Sequence, residues 1–234
     1  MPWPLSRHRG VRFRRFSEHL RANSYDLVGI QELWAGARAT LSVESLRLPD
    51  LRTGDSGLAL AGPLVGRASL AIEHFLSAAR IDRLKRKGFL RSQVRIGDVD
   101  VCVVVTHLQA GRGHAVARRA QVEQLVYALD PVRLPIVVMG DFNFHAEVAE
   151  DKRTELRLEE AGFSDIADVT GKLVATYGRN RYVASTEAER LDRIYTRASE
   201  THAFAVEELD VVDGVDGPFS DHHPIRARLS LRAR

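Results

Sequence analysis

Two apolar runs, DVDVCVVVTHL at residues 98–108 and PIVVMGDFN at residues 135–143, decide the fold of this chain. Both runs are rich in β-branched residues, whose side chains favour the extended backbone of a strand. Apolar stretches of about four to eight residues are typical of buried strands rather than of helices. Polar residues stand at the ends of both runs: His107 near the end of the first, and Asp141 and Asn143 at the end of the second. The two runs therefore predict buried strands with functional side chains at their ends.

Strands and helices are interspersed along the rest of the chain. Apolar spacing predicts helices over residues 12–22, 115–129 and 150–161. It predicts further strands over residues 25–31, 56–61, 89–96, 191–196 and 225–231. This mixed order is typical of a layered α/β (α+β) protein or of a sheet-on-sheet sandwich flanked by helices. No linker, repeat or low-complexity tract interrupts it, so residues 1–234 are predicted to form a single domain.

The composition, with 44% hydrophobic and 28% charged residues, is that of a soluble globular protein. The sequence contains neither an apolar run of membrane-spanning length nor a signal-peptide core in residues 1–15, so we expect a cytoplasmic location. The single cysteine, Cys102, excludes an internal disulfide framework and is predicted to be a buried, inert thiol. Basic clusters at residues 7–15 and 80–91 suit either a phosphate-rich partner or a solvated surface.

Acidic, histidine and asparagine side chains recur at the ends of the apolar runs. Each position alone has an ordinary explanation, since a glutamate at the end of a strand is usually a solvated rim residue and a Gly-Asp pair is often only a turn. Phosphoester hydrolysis, however, needs positive charge or amide donors to offset the phosphate, and a base that titrates near neutrality. The candidate residues for this chemistry are Glu32, His107, Asp141, Asn143, Asp192, Asp221 and His222.

Three motifs give the pattern its specificity: GDFN at residues 140–143, LDRIY at residues 191–195 and SDHHP at residues 220–224. In combination they resemble the endonuclease/exonuclease/phosphatase superfamily, which includes deoxyribonuclease I, abasic-site endonucleases, inositol polyphosphate phosphatases and neutral sphingomyelinases. The likeness extends over residues 13–229. It implies a four-layered sandwich of two packed, mostly antiparallel β-sheets flanked by helices, and a metal-dependent phosphoric ester hydrolase.

The resemblance also implies a metal site. Glu32 matches the magnesium-binding glutamate of the superfamily, and Asp221 resembles the aspartate that contributes to the metal region. A hard cation that keeps several waters and binds one or two carboxylates is Mg²⁺ rather than zinc, with Mn²⁺ as a substitute.

Five further residues take catalytic roles by the same resemblance. His107 matches the histidine that hydrogen-bonds the scissile phosphate. Asp141 and Asn143 match the pair that orients the attacking water and contacts phosphate oxygens. His222 resembles the general base, and Asp192 resembles the carboxylate that holds one of its ring nitrogens. The neighbouring histidine of the SDHHP motif is interpreted as a structural or rim residue.

The middle of the chain resembles the neutral sphingomyelinase branch most. The likeness rests on DSGL at residues 55–58, on Asp82 followed by Lys87-Gly88, and on THLQA at residues 106–110. It implies a phospholipid phosphodiesterase that acts at a membrane surface. Lys87 is either a phosphate contact or one lysine of a basic surface run. Trp3 and Trp34 are the candidates for an interfacial anchor, although Trp34 is expected to pack beside the site.

Three alternatives stay open: a metal-dependent nuclease, an inositol or sugar phosphatase, and an inactive binding module. Inactivity has one argument in its favour. The resemblance implies a first apolar strand with an asparagine that organises the metal site, whereas this chain starts with MPWP, at the loop before the first helix. We expect that the gene model is truncated and that upstream sequence, once restored, raises both stability and Mg²⁺ affinity. Loss of a central strand would leave unpaired backbone groups on its neighbours.

Overall fold

The computed structural model describes residues 9–34, 55–65, 70–79, 82, 85–183, 185–212 and 218–234. Its helices are α1 (Arg9–Ala22), α2 (Ala115–Leu129), α3 (Ala149–Glu160) and the short α4 (Ile166–Thr170). Its strands are β1 (Val28–Ile30), β2 (Ala59–Ala61), β3 (Leu70–His74), β4 (Gly88–Ile96), β5 (Val99–His107), β6 (Ile136–Asp141), β7 (Ser164–Asp165), β8 (Asp192–Arg197), β9 (His202–Val211) and β10 (Ile225–Ala233).

A six-stranded sheet with the order β3-β4-β5-β6-β8-β7 forms the centre of the molecule. Strands β5 and β6 are parallel, and all other neighbours in the sheet are antiparallel. The parallel pair needs a crossover, which α2 supplies between the two strands. This register places His107 beside Asp141 and places Asp141 beside Asp192. The predicted functional residues of three separate segments therefore meet at the same end of the sheet.

A second layer covers one face of the six-stranded sheet. It consists of two antiparallel pairs, β1–β2 and β9–β10. Leu60 of β2 and Leu209 of β9 share a core with valines of β5 and β6. Helix α1 packs outside this layer through Phe13 and Phe16. On the opposite face of the large sheet, α2 and α3 bury their apolar side chains. The order helix, sheet, sheet, helix is the predicted four-layered sandwich, and this prediction is confirmed.

The boundaries of most predicted elements agree with the structure to within three residues. Strand β1 is shorter than predicted, and β3, β7, β9 and the short helix α4 were not predicted at all. The sequence of β9, HAFAVEELDV, lacks the clean alternation of a half-buried strand, and its residues are mostly of intermediate burial in the structure. Trp3 lies outside the described residues. In the described part of the chain, no helix is long and apolar enough to cross a membrane.

Candidate active site

All seven predicted site residues line one cavity of about 1140 Å³ at the edge where β5 and β6 end. The six-stranded sheet supplies His107, Asp141 and Asp192 from the ends of its strands. The other layer supplies Glu32, which follows β1. The convergence that the sequence required is thus present among the described residues.

His222 and Asp192 form the hydrogen-bonded couple that was predicted. His222 Nδ1 lies 2.7 Å from Asp192 Oδ2. The backbone N–H of His222 donates to Ser220 Oγ at 3.2 Å, and the Tyr177 ring centroid lies 4.9 Å from that of the imidazole. These contacts hold the imidazole in one orientation, with the carboxylate on Nδ1, so that Nε2 is the ring nitrogen available for proton exchange.

Carboxylates dominate the electrostatics around His222. Burial acts to lower the pKa of His222, but Asp192, Asp141 and Asp221 together outweigh it and raise this pKa to about 10. A base that works near neutrality needs this negative charge to be offset, and a bound divalent cation would do so. The surplus of carboxylates therefore fits a cation site.

Asp141 and Asn143 belong to a tight turn after β6. The backbone N–H of Asn143 donates to Asp141 Oδ1 at 3.0 Å, and its side-chain amide donates to the Leu108 carbonyl at 3.3 Å. Asn143 has a φ of 51°, a left-handed conformation that asparagine tolerates better than most residues. Burial, with a further contribution from Asp192, raises the pKa of Asp141 to about 7. The turn thus places one carboxyl and one carboxamide together in the cavity.

His107 is held by a buried lysine. Lys87 Nζ lies 2.8 Å from His107 Nε2 and donates to the Leu108 carbonyl at 2.7 Å. Asp82 Oδ2 lies 3.0 Å from the same ammonium group. Burial and the charge of Lys87 keep the pKa of His107 well below its usual value, so the imidazole is neutral and accepts a hydrogen bond from Lys87. Lys87 is fully buried and so is not part of a solvated basic surface run.

The two residues predicted to bind metal lie near cationic side chains. Glu32 Oε1 is 3.5 Å from Lys85 Nζ, and Asp221 Oδ1 accepts a hydrogen bond of 2.7 Å from Arg12. Burial acts to raise the pKa of Asp221, but positive charges, among them His222 and Arg12, hold it at about 2. Glu32 has a φ of 58°, a strained backbone conformation that is often found at functional sites.

The donor atoms suit a hard cation. Asp141, Asp192 and His222 form a group whose ligand atoms lie within 4.8 Å of one another, and Glu32 and Asp221 add oxygen donors to the same cavity. Carboxylate oxygens are the protein ligands that Mg²⁺ prefers. The residues therefore fit Mg²⁺, although the donor group that the structure brings together here, Asp141, Asp192 and His222, is not the Glu32–Asp221 pair that the resemblance implied.

A second histidine–carboxylate couple in the cavity was not predicted. His145 Nδ1 lies 2.6 Å from Glu189 Oε2. Arg112 contacts Glu189 at 3.2 Å and Glu147 at 2.7 Å, and both Arg112 and Glu189 line the cavity. His145 lies two residues after the GDFN motif, and Glu189 lies two residues before the LDRIY motif. Their nearness to these motifs was the only available signal, because nothing in the spacing pairs them.

Trp34 packs beside the site, as the sequence suggested. It lines the cavity, and a Cβ atom added to Gly57 would lie 2.9 Å from its ring. Gly57 has a φ of 69°, so glycine meets both a conformational and a steric requirement there. The indole is thus in close contact with backbone.

Comparison with known proteins gives one family and a consistent set of folds. The model of the endonuclease/exonuclease/phosphatase family matches residues 7–222. No curated protein matches the chain by sequence.

Solved structures share the fold over almost the whole chain. TDP2 from D. rerio, in complex with a single-strand DNA product, has a TM-score of 0.72 at 16% identity and covers 94% of this chain and 91% of its own. Sphingomyelinase C from Streptomyces griseocarneus has a TM-score of 0.68 at 18% identity, with coverages of 96% and 93%. A double mutant of β-toxin from Staphylococcus aureus, with bound magnesium ions, has a TM-score of 0.66 at 18% identity, with coverages of 95% and 92%. At these identities the likeness shows the fold alone.

Proposed function

Because the chain belongs to the endonuclease/exonuclease/phosphatase family, it is a metal-dependent phosphoester hydrolase, and we propose that it cleaves the phosphodiester of a choline phospholipid such as sphingomyelin. The proposal has two levels: the chemistry of the site and the identity of the substrate.

The Asp192–His222 couple carries the proposal for the chemistry. We assign His222 as the base that takes a proton from the attacking water, with Asp192 holding its Nδ1 at 2.7 Å. Asp141 and Asn143 orient this water and the phosphate oxygens. A hydrogen bond from His107 to the phosphate would require its ring to turn, because Nε2 accepts from Lys87 and Nδ1 is buried. Mg²⁺ held by Glu32, Asp221 and neighbouring carboxylates would offset the charge of the phosphodiester.

The segment that resembles the sphingomyelinase branch supports the choice of substrate. Asp82 and Lys87 of this segment lie inside the catalytic cluster, with Lys87 Nζ 2.8 Å from His107. Sphingomyelinases are also among the proteins that share this fold. The resemblance therefore involves residues that contact a proposed catalytic group rather than a distant surface.

An exposed leucine lies at the same end of the six-stranded sheet as the site and suits a lipid surface. Strand β3 ends at His74, which pairs with Gly88, and the next residue of β4 pairs with the residue before His107. The segment after β3 therefore begins at the end of the sheet that carries the site residues. Within it, Leu76 is 94% exposed. A single exposed leucine is common on soluble proteins, so it becomes informative only through its place beside the site.

A nucleic acid is the second candidate substrate. The TM-score of 0.72 with TDP2, whose structure holds a single-strand DNA product, favours it. Cleavage of DNA would need phosphate contacts along a strand, and binding would then weaken steeply as salt rises.

The substrate test uses the purified full chain, with 5 mM Mg²⁺ or with EDTA as the assay conditions. We expect release of phosphocholine from sphingomyelin vesicles only with Mg²⁺, and no nicking of plasmid DNA. Metal-dependent cleavage of single-stranded or plasmid DNA, without phosphocholine release, would replace the lipid by a nucleic acid. Inactivity on both substrates and on inositol phosphates and bis-nitrophenyl phosphate would contradict the hydrolase assignment itself.

Leu76→Ser tests the lipid contact separately from the chemistry. We expect it to lower phosphocholine release from vesicles severalfold and to leave hydrolysis of soluble bis-nitrophenyl phosphate unchanged. Leu156→Ser is the matched control, because Leu156 is an exposed leucine on α3. Equal effects of the two substitutions on vesicles would contradict a role for Leu76 at the membrane.

A further inference from the structure

A second group of metal-binding side chain types borders the cavity, around the couple of His145 and Glu189. His145, Glu147 and Glu189 each offer one ligand atom, and these atoms lie within 4.8 Å of one another. Donor atoms this close together can share one ion, because zinc–nitrogen and zinc–oxygen bonds are about 2.0–2.2 Å long. None of the three residues belongs to the donor group around the proposed base. The two groups are therefore separate.

The six-stranded sheet brings these three residues together. Strands β6 and β8 are antiparallel neighbours. Their ladder continues one residue beyond β6, since the backbone N–H of Phe142 donates to the Leu191 carbonyl at 2.9 Å. The chain that leaves β6 therefore runs beside the chain that enters β8, and residues 145–147 come to lie next to Glu189. The donor group thus rests on backbone that the sheet holds in place.

His145 has a ring nitrogen without a partner. Its side chain is 7% exposed, and its Nδ1 lies 2.6 Å from Glu189 Oε2. Its Nε2 is buried and has no hydrogen-bond partner among the described residues. Buried polar groups are nearly always paired, so this nitrogen points to a ligand from outside the chain. Metal-binding histidines typically carry a carboxylate on one ring nitrogen and bind the ion through the other. His145 has this arrangement.

A guanidinium neutralises the two carboxylates of the donor group. Arg112 Nη1 lies 2.7 Å from Glu147, and Arg112 Nη2 lies 3.2 Å from Glu189. The same Nη2 lies 2.9 Å from Glu187. These four side chains together carry an excess of negative charge, which favours a further cation over a phosphate. Arg112 is 47% exposed, so its side chain can turn away into solvent. Arg112 and a metal ion would therefore compete for the same two glutamates.

The donor types select the class of ion. Mg²⁺ binds oxygen ligands and keeps several of its waters, whereas an imidazole nitrogen suits Zn²⁺. Zinc sites commonly combine three protein ligands with one water. This group supplies one imidazole and two carboxylates, which leaves one position for a water. The chemistry therefore favours Zn²⁺ here, in contrast to the oxygen-rich part of the cavity.

We propose that His145, Glu147 and Glu189 form a Zn²⁺ site, and that the ion displaces Arg112 from both glutamates. The ion ties the loop after β6 to the segment before β8. Glu189 in turn pairs through its backbone with Tyr177, whose ring centroid lies 4.9 Å from that of His222. Bound Zn²⁺ therefore stabilises the wall of the cavity next to the proposed base.

The experiment titrates Zn²⁺ into the purified full chain by calorimetry, with Tm measured in parallel. Asp192→Asn serves as the parent, because it disables the other donor group, which could also take Zn²⁺. His145→Gln and Glu147→Gln, each added to this parent, remove ligands. Glu187→Gln is the matched control, because Glu187 contacts the same guanidinium but lies outside the donor group. Protection of the β5 amides from hydrogen exchange shows that each variant is folded.

We expect the Asp192→Asn parent to bind one equivalent of Zn²⁺ and to gain in Tm. His145→Gln and Glu147→Gln should each weaken this binding by at least about tenfold and remove the gain in Tm. Glu187→Gln should change the affinity by no more than about threefold, because the carboxylate it removes is exposed. Arg112→Gln should tighten Zn²⁺ binding severalfold, since it removes the competing cation.

Three results would overturn the proposal. The first is a parent that binds no Zn²⁺. The second is equal Zn²⁺ affinity in the parent and in His145→Gln, which would show adventitious binding elsewhere on the chain. The third is unchanged or weaker binding after Arg112→Gln, which would overturn the displacement of the guanidinium. These readouts need no substrate, so they stand or fall independently of the proposed hydrolase activity.

Discussion

The two layers of the sandwich differ in how completely they are built. The six-stranded sheet is continuous, and its central strands are almost fully buried, with six consecutive buried residues from Val101 to Thr106. Among the residues that the structure describes, the second layer consists of two separate pairs, and the apolar residues of β9 and β10 are mostly half-buried. The site draws on both layers, since Asp192 begins β8 of the continuous sheet and His222 lies in the segment that precedes β10 of the second layer. The position of the proposed base, His222, therefore depends on the less complete layer, whereas the position of Asp192 does not.

The largest expected effect comes from removing the base at the junction of the layers. We expect His222→Ala to lower kcat/KM about a thousandfold in the phosphodiesterase assay, because the attacking water loses its proton acceptor. His223→Ala is the control and should cost far less. Equal losses from the two substitutions would mean that the couple has no special role in catalysis.

The next effect tests a buried ion pair beside the continuous sheet. Arg118 and Asp151 are fully buried, and their two hydrogen bonds measure 2.8 and 2.7 Å. We expect Arg118→Ala to lower the free energy of unfolding by about 3–5 kcal/mol, because Asp151 is left as an uncompensated buried charge. Urea unfolding measures this change. Arg119→Ala removes only an exposed contact to Glu150 and should be nearly neutral. Similar losses of unfolding free energy for the two substitutions would contradict the difference in burial between Arg118 and Arg119.

Two leucines of one shared core compare the layers directly. Leu90 of β4 is fully buried, whereas Leu229 of β10 is partly buried. We expect Leu90→Ala to cost about 2–5 kcal/mol of unfolding free energy, because it leaves a cavity. Leu229→Ala should cost about 1 kcal/mol. An equal cost of the two substitutions in the unextended chain would remove the contrast between the layers.

The smallest expected effect is the slow labelling of Cys102 by a thiol reagent in the native protein. Burial raises the pKa of the Cys102 thiol to about 11, so little reactive thiolate is present at pH 8. We expect a thiol reagent to label Cys102 only as fast as the six-stranded sheet opens, and to label the urea-unfolded chain rapidly. Fast labelling of the native chain would show that the continuous sheet opens as readily as the split layer.

Local pattern predicted the central elements and the motif residues well. The valine-rich run of β5 and the helical spacing of residues 115–129 are strong signals, and the structure has both elements at nearly those boundaries. Strands β3 and β9 escaped prediction, because their burial is mostly intermediate and their alternation is weak. Their strand character comes from pairing with neighbours rather than from their own sequence.

The site divides in the same way. The family resemblance of the motifs paired Asp192 with His222, and the structure places His222 Nδ1 2.7 Å from Asp192 Oδ2. The surroundings of Lys87 could not be predicted from its neighbours in the sequence. Its burial depends on Asp82 and on the register of β4 against β5, which brings in His107. The couple of His145 and Glu189 likewise exists only after residues 44 positions apart meet.

By itself, then, the sequence determined the family, the main strands and helices, and the identity of the chemical groups at the strand ends. Periodicity and short motifs encode these features, because they depend on residues that are near one another in the chain. Only the tertiary structure decided which charges are buried together, which donor atoms lie close enough to share a cation, and how the described strands of the second layer pair. Burial and pairing arise from contacts between distant segments, and these contacts set both pKa values and unpaired edges.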